Sequence, residues 1–269
     1  MNKLKKILVP IYLKLYKIYT LYINTYQYKK QNYTDSFVSK EEKVTDLTLE
    51  KAKEVIYIFW TGDNEISENR KSGIKSLKEK AEVEIVLVTP NNLSNYILKD
   101  YPLHEAYEYL SLIHKSDYLR CYFMLHHGGG YADIKPSLTS WKRLFEQLNQ
   151  APKHWCIGPR EIYSGGVPDL EGNIGIDIKK YHNLLIGNCG YIFKPNSPIA
   201  QEWMNEVNSR LDKLEQALIK NPGNVYGDNI GYPVEWSFIL AQVFHPIILK
   251  YSEHVFSEDI ILYDTVNYR

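Results

Sequence analysis

Between Ser116 and Lys135 the chain reads SDYLRCYFMLHHGGGYADIK, and the residues best suited to chemistry are concentrated there. Asp117 and Arg120 stand three apart, which on a helix projects both side chains from one face. On a wet surface such a pair is only a local ion pair worth about 0.3–0.5 kcal/mol. The neighbours Leu119, Cys121, Phe123, Met124 and Leu125 are apolar, however, and imply a helix buried around much of its circumference. A charged pair in that setting needs a polar ligand or a network. Gly128, Gly129 and Gly130 can cap the helix and let backbones approach closely. Asp133 follows at the end of a short strand, where a carboxylate suits a metal, a ribose hydroxyl or a diphosphate-bound cation.

The flanking elements must hold these groups in place. Residues 55–60 (VIYIFW) form a β-rich apolar run closed by Thr61-Gly62-Asp63, which predicts a buried strand and a turn. Helical character follows over 65–80, then a second strand over 83–88, then helical stretches near 92–99 and 103–127. Further strands are expected near 130–134, 154–158 and 184–194. Ser197-Pro198 predicts an N-cap and first turn for a helix running to about 220. Alternation of this kind predicts an α/β fold, a sheet flanked by helices. In such a sheet ligands bind beyond the carboxyl ends of strands, where Trp60-Thr61-Gly62 and Asp133 both fall.

The 269 residues are enough to bury roughly three quarters of the unfolded surface, so one large domain needs no disulfide framework. Three cysteines, Cys121, Cys156 and Cys189, lie far apart with no Cys/His cluster, and read as reduced thiols of a cytosolic protein. The net charge of zero argues against a general nucleic-acid binder. It conceals an asymmetry: residues 1–30 hold seven lysines and no acid, leaving 25 basic and 32 acidic groups in the rest. Lys14, Lys17 and Pro10 break the apolar run of that arm, so it has neither the roughly 20 apolar residues of a spanning helix nor the pattern of a signal peptide. Its tyrosines and lysines suit an anionic membrane interface, or a helix packed on the body with its lysines wet. The expected organisation is a basic arm over 1–30, a linker or short helix over 31–53 with a possible capping box at Ser39–Glu42, and one domain over 54–269.

Three ordered motifs resemble a known family. Ser116-Asp117-x-x-Arg120 followed by Gly129-Gly130-Tyr131-x-Asp133-x-Lys135 looks like the DXD region of sugar-nucleotide-dependent GT-A glycosyltransferases. The similarity is greatest to the capsular-polysaccharide and mannosyltransferase-like group (family 32-like), and more distant to the clostridial glucosylating toxins. Trp60-x-Gly62 is similar to that family's first strand end, and Asn188-Cys189-Gly190 to its Asn-x-Gly segment. The resemblance implies a Rossmann-like nucleotide-sugar-binding sheet and transfer of a hexose, UDP-linked, to a capsule, O-antigen or lipooligosaccharide acceptor with retention of configuration. It implies that Trp60 and Gly62 hold the base, that Asp117 and Arg120 meet ribose and sugar, and that Asp133 anchors a metal-bound diphosphate near Asn188; Tyr131 could pack in the sheet or touch ribose. Localisation on the inner face of the plasma membrane, beside a lipid-linked glycan, follows from the arm.

One position departs from the pattern. The second aspartate of the motif falls on Lys135. Lys135 could face solvent while Asp133 and a distant ligand, His254 first and His245 second, hold Mn²⁺ or Mg²⁺. Alternatively it could meet the diphosphate itself as a point charge. Asp228 and Glu235, in a turn-rich segment, are candidate acceptor contacts, as is the loop-like stretch 160–182. Two rival readings remain open: a toxin-like transferase acting on protein, and a non-catalytic sugar-nucleotide- or glycan-binding protein.

Overall fold

Strand β1 (Val55–Phe59) begins the sheet, its β-branched and aromatic residues buried on both faces. A computed structural model describes residues 26–44 and 47–264; most of the basic arm, residues 1–25, lies outside the described residues. Helix α1 (Glu68–Lys80), capped by Ser67, leads to β2 (Glu84–Val88). Helix α2 (Leu112–His126), capped by Ser111, leads to β3 (Gly129–Ala132). Helix α3 (Lys142–Gln150), β4 (Cys156–Pro159), α4 (Gly172–Lys180), β5 (Gly190–Phe193), α5 (Pro198–Lys220), α6 (Ala241–Lys250) and β6 (Val255–Glu258) complete the order.

The six strands lie in the order β2-β1-β3-β5-β4-β6. Only β5 runs against its neighbours, so the other strands all end on one side, and β5 begins there. This is the α/β architecture expected, a mixed sheet flanked by helices. Side chains alternate across it with period two. Tyr57, Phe59, Tyr131, Tyr191 and Phe193 join Phe123, Trp203 and Phe244 of α2, α5 and α6. Ile56, Ile58, Ala132 and Ile192 join Leu77, Leu144 and Phe145 of α1 and α3.

Several elements differ from expectation. The helical stretches before residue 112 are short 3-10 turns, Leu93–Tyr96 and Glu105–Tyr109. Helices α3, α4 and α6 and strand β6 carried no clear sequence signal. In α4 the glycines lower helix propensity, yet Gly175 is required because a Cβ there would collide with Leu170 O. In α6, Pro246 interrupts the pattern. The segment 31–53, expected as linker or short helix, carries two 3-10 turns pressed on the body, with Tyr33 and Val38 buried. Ser39 caps no α-helix; its hydroxyl donates to Ser36 O at 2.9 Å.

Candidate functional site at the carboxyl ends of the strands

Glycine governs the approach to the site. Gly128 ends α2 with φ +62° and its N–H donates to Phe123 O at 3.0 Å, and Gly129 follows with φ +82°. A Cβ on Gly129 would lie 2.8 Å from Val55 O, so only glycine lets β3 enter beside β1 at this point. The turn sends β3 back along α2 and sets Asp133, just past the strand, near the first half of that helix. Asp133 N–H donates to Cys189 O at 2.8 Å, tying the chain after β3 to the chain before β5.

Asp117, Arg120, Tyr131, Asp133 and Lys135 converge. The Arg120 guanidinium lies over the Tyr131 ring, 4.4 Å from its centre. It donates through Nη1 to Asn188 O at 3.1 Å. Its Nη2 stands 3.2 Å from Asp117 Oδ1 and 3.6 Å from Asp133 Oδ1. Tyr131 OH donates to Asp133 Oδ1 at 2.7 Å. Lys135 is 5% exposed, with Nζ 2.9 Å from Asp133 Oδ2 and 3.4 Å from Cys189 Sγ. The option that Lys135 faces solvent is thereby closed. Its backbone is seated on α1, where a Cβ on Gly73 would come within 3.3 Å of Lys135 Cα and Arg70 donates to Ile134 O at 2.6 Å.

Burial sets the electrostatics. It works to raise the Asp133 pKa, but Arg120, Lys135 and the Tyr131 hydroxyl outweigh it and hold the group below the usual carboxylate range. For Asp117 burial wins over the attraction of Arg120 and His114, and its pKa rises. Burial likewise pushes up the hydroxyls of Tyr131, Tyr191 and Tyr263, which remain protonated donors. His245, on α6, is fully buried and its pKa falls to about 4. Its Nε2 accepts from Asn188 Nδ2 at 3.2 Å, which joins Asn188 to the same neighbourhood.

This group also holds unpartnered atoms: Asp117 Oδ1 (in ion-pair reach of Arg120 but not hydrogen-bonded), Arg120 Nε, Asn188 Oδ1, Tyr191 OH and Tyr263 OH. Each such buried atom costs about 1–3 kcal/mol, so their concentration around one ion-pair network marks a place where polar ligand atoms would be stabilising. Cys189, Tyr191 and Tyr263 are site residues that the sequence reading missed. Only Cys189 carried a signal, lying inside the Asn188–Gly190 motif. Tyr263 reaches the site by covering Gly190, where its hydroxyl leaves no room for a Cβ.

Other expected residues lie apart from this group. Trp60 packs with the α1-side layer, and its Nε1–H donates to Asn64 O at 2.8 Å. Gly62 abuts Leu112, and Thr61 OH donates to Leu112 O at 2.6 Å, so the end of β1 touches the start of α2. Asp228 and Glu235 are exposed; Asp228 accepts from Asn224 Nδ2 at 2.7 Å and Glu235 from Gln242 Nε2 at 3.3 Å. Their loop is pinned over the start of α2 by His114, whose Nδ1 meets Tyr232 OH at 2.9 Å and whose Nε2 meets Glu235 O at 3.2 Å. The stretch 160–182, expected as an acceptor loop, contains α4, whose Asp177 accepts from Tyr33 OH at 2.6 Å.

His254 is not brought to Asp133. It stacks on Trp155 at 3.8 Å and its Nδ1–H donates to Lys153 O at 2.8 Å, both at the amino ends of β4 and β6. The register from Cys156 to Phe193 to Gly129 sets the two levels ~16 Å apart along the strands. The donors that do surround Asp133 fit a divalent metal poorly. One carboxylate oxygen faces Lys135, and the other accepts from Tyr131 and faces Arg120. Among the described residues, no group of three or more His, Cys, Asp or Glu side chains could hold a metal ion.

With this geometry in view, comparison with known proteins gives one family. Residues 14–142 match the model of the capsular polysaccharide synthesis protein family. The matched stretch contains Trp60, Asp117, Arg120, Asp133 and Lys135, and ends where α3 begins. Among solved structures the chain is similar to one named PaToxG Glycosyltransferase, at 15% identity and a TM-score of 0.39. That similarity covers 65% of this chain and 66% of the other, just under two thirds of its length. No curated protein sequence matches. Among the described residues, no helix is long and apolar enough to cross a membrane.

Proposed function

We propose that the protein is a glycosyltransferase of surface-polysaccharide synthesis, moving a hexose from a UDP-linked donor to a glycan acceptor. The observation that carries this reading is the convergence of Asp117, Arg120, Tyr131, Asp133 and Lys135 at the carboxyl ends of the strands, with unpartnered polar atoms beside them. The family match over the same residues supports it. Ligands of open α/β sheets occupy this position. A donor lying across the strand ends would set its base against Trp60 and Gly62 and its sugar and ribose against Asp117 and Arg120. The diphosphate would face Lys135 and Asp133, with Asn188 at the reacting carbon.

Preorganised positive charge at the diphosphate is what the departing nucleotide needs, since negative charge develops there as the glycosidic bond breaks. Retention of configuration is the outcome proposed from the family resemblance. Asp228 and Glu235 would meet the acceptor from the loop that His114 anchors. The lysine-rich arm would hold the enzyme at the inner face of the membrane, beside a lipid-linked acceptor.

A thermal-shift panel of nucleoside-diphosphate sugars tests the reading, because a ligand at 100 times its Kd adds about 2.7 kcal/mol. UDP-hexoses are expected to stabilise the protein and to be slowly hydrolysed. Stabilisation by no member of the panel rejects the reading. Binding with neither hydrolysis nor transfer points instead to a non-catalytic binding protein. Radiolabelled donor then locates the acceptor, and label in protein rather than glycolipid would overturn the glycan assignment.

A further inference from the structure

We propose that the diphosphate is held by the protein's own fixed cation, Lys135, backed by Arg120, and that donor binding needs no divalent metal. The inference deepens the donor reading and rests on it.

Lys135 Nζ occupies the ground beside Asp133 Oδ2 that a metal would need, at 2.9 Å. Asp133 Oδ1 is engaged as well, accepting from Tyr131 OH at 2.7 Å with Arg120 Nη2 at 3.6 Å. A divalent ion would have to displace the Lys135 ammonium from the carboxylate and then sit beside it and the Arg120 guanidinium. The other nearby donors do not offset that repulsion. Asp117 Oδ1 is paired with Arg120 Nη2 at 3.2 Å, His245 Nε2 is turned to Asn188 Nδ2, and Cys189 Sγ accepts from Lys135.

The same arrangement suits a diphosphate oxygen. The Lys135 contact to Cys189 Sγ, at 3.4 Å, uses a weak acceptor that a phosphate oxygen would replace with a stronger one. Lys135 is 5% exposed and its backbone is fixed between Gly73 and the Arg70–Ile134 bond, so its ammonium is already placed before ligand arrives. Two cationic side chains, Arg120 and Lys135, face the single carboxylate of Asp133, and burial raises the pKa of the neighbouring Asp117. Tyr191 OH and Tyr263 OH add two buried donors without partners. Asp133 then acts as a positioning residue, keeping the ammonium charged and oriented.

Calorimetric titration of the full chain with UDP, and separately with inorganic pyrophosphate, tests this after exhaustive treatment with EDTA. Mn²⁺ binding in the absence of nucleotide is followed by electron paramagnetic resonance. The expected result is a UDP Kd that agrees within about twofold with and without Mn²⁺, and no bound Mn²⁺ in the free protein. Lys135→Met is expected to weaken UDP by at least about tenfold and Lys135→Arg to retain most of it. Lys135→Asp is expected to lose binding in EDTA and to recover it with Mn²⁺, because a second carboxylate would then face Asp133.

Wild-type binding that falls by tenfold or more in EDTA and returns with Mn²⁺ overturns the proposal while leaving the donor reading intact. That comparison decides the matter even if a variant fails to fold. Binding of UDP, but not of pyrophosphate, with Lys135→Met unaffected, also overturns it. If UDP and every other nucleoside diphosphate fail to bind with or without metal, the donor reading itself falls, and this inference with it.

Discussion

Two buried charge clusters use similar materials and leave them in opposite states. On α6, Lys250 Nζ donates to both carboxylate oxygens of Glu202 at 2.8 Å, to Val38 O at 3.1 Å and to Glu41 O at 2.9 Å. Tyr251 OH donates to the same carboxylate. Lys250, Glu202 and Tyr251 leave no buried polar atom without a partner, whereas Asp117, Arg120, Asn188, Tyr191 and Tyr263 each leave one. The first cluster is an anchor, closing residues 26–44 over the body. The second is held in shape by Tyr131 and Lys135 but stays incomplete. Buried charge by itself therefore says little about function; the bookkeeping of donors and acceptors around it separates a tie from a candidate binding site.

The contrast can be broken most directly at the anchor. Lys250→Met strands a buried carboxylate and is expected to remove about 3–5 kcal/mol of stability by urea unfolding. A loss below about 1 kcal/mol would show that the anchor is not the structural member of the pair. Next in size is the pH response of His245. Its folded pKa near 4 lies below the unfolded value, so the unfolded chain binds the extra proton as pH falls. Stability should therefore fall between pH 7 and pH 4, by about 3 kcal/mol from this residue. His154, shifted in the same direction, adds to the wild-type slope, and the difference between wild type and His245→Gln isolates the His245 share.

Asp117→Asn sharpens the contrast from the site's side. Removing a buried carboxylate whose pKa burial has raised should leave stability unchanged or improve it by up to about 1 kcal/mol, while transfer falls by about 100-fold. A variant that loses stability and activity together would place Asp117 with the anchor's kind. The smallest effect is expected at Asp228→Asn on the exposed loop. The melting temperature should move by less than about one degree, and any change should appear in acceptor KM, within about threefold.

How much of this was legible in the sequence depended on distance along the chain. β1, β2, α1 and the Ser197-capped α5 were local patterns, and all are present. Asp117, Arg120, Tyr131 and Asp133 could be read because one helix, one glycine turn and one strand bring them together within a short segment. Asn188 was reached through its Asn-x-Gly motif, but Cys189 and Tyr191 come beside Asp133 only because β5 is inserted, reversed, between β3 and β4, a pairing that no local period reveals. Tyr263 arrives from still further away. The expectation for His254 failed for the same reason, since histidine chemistry carries no information about which end of the sheet it occupies. Lys135 was visible as a departure, but its inward orientation depends on the packing of α1 at Gly73.

Helix α6 connects the two clusters in a way that matters for anyone shortening this chain. Lys250 at its end grips the main chain at Val38 and Glu41, and His245, on the same rod, braces Asn188. Trimming the protein back past residue 44 would bare an ammonium that the fold keeps dry and free the rod that braces the site. An apparently dispensable front segment is thus tied mechanically to the candidate site, and a shortened form that loses activity would report slack in that rod as well as the missing piece.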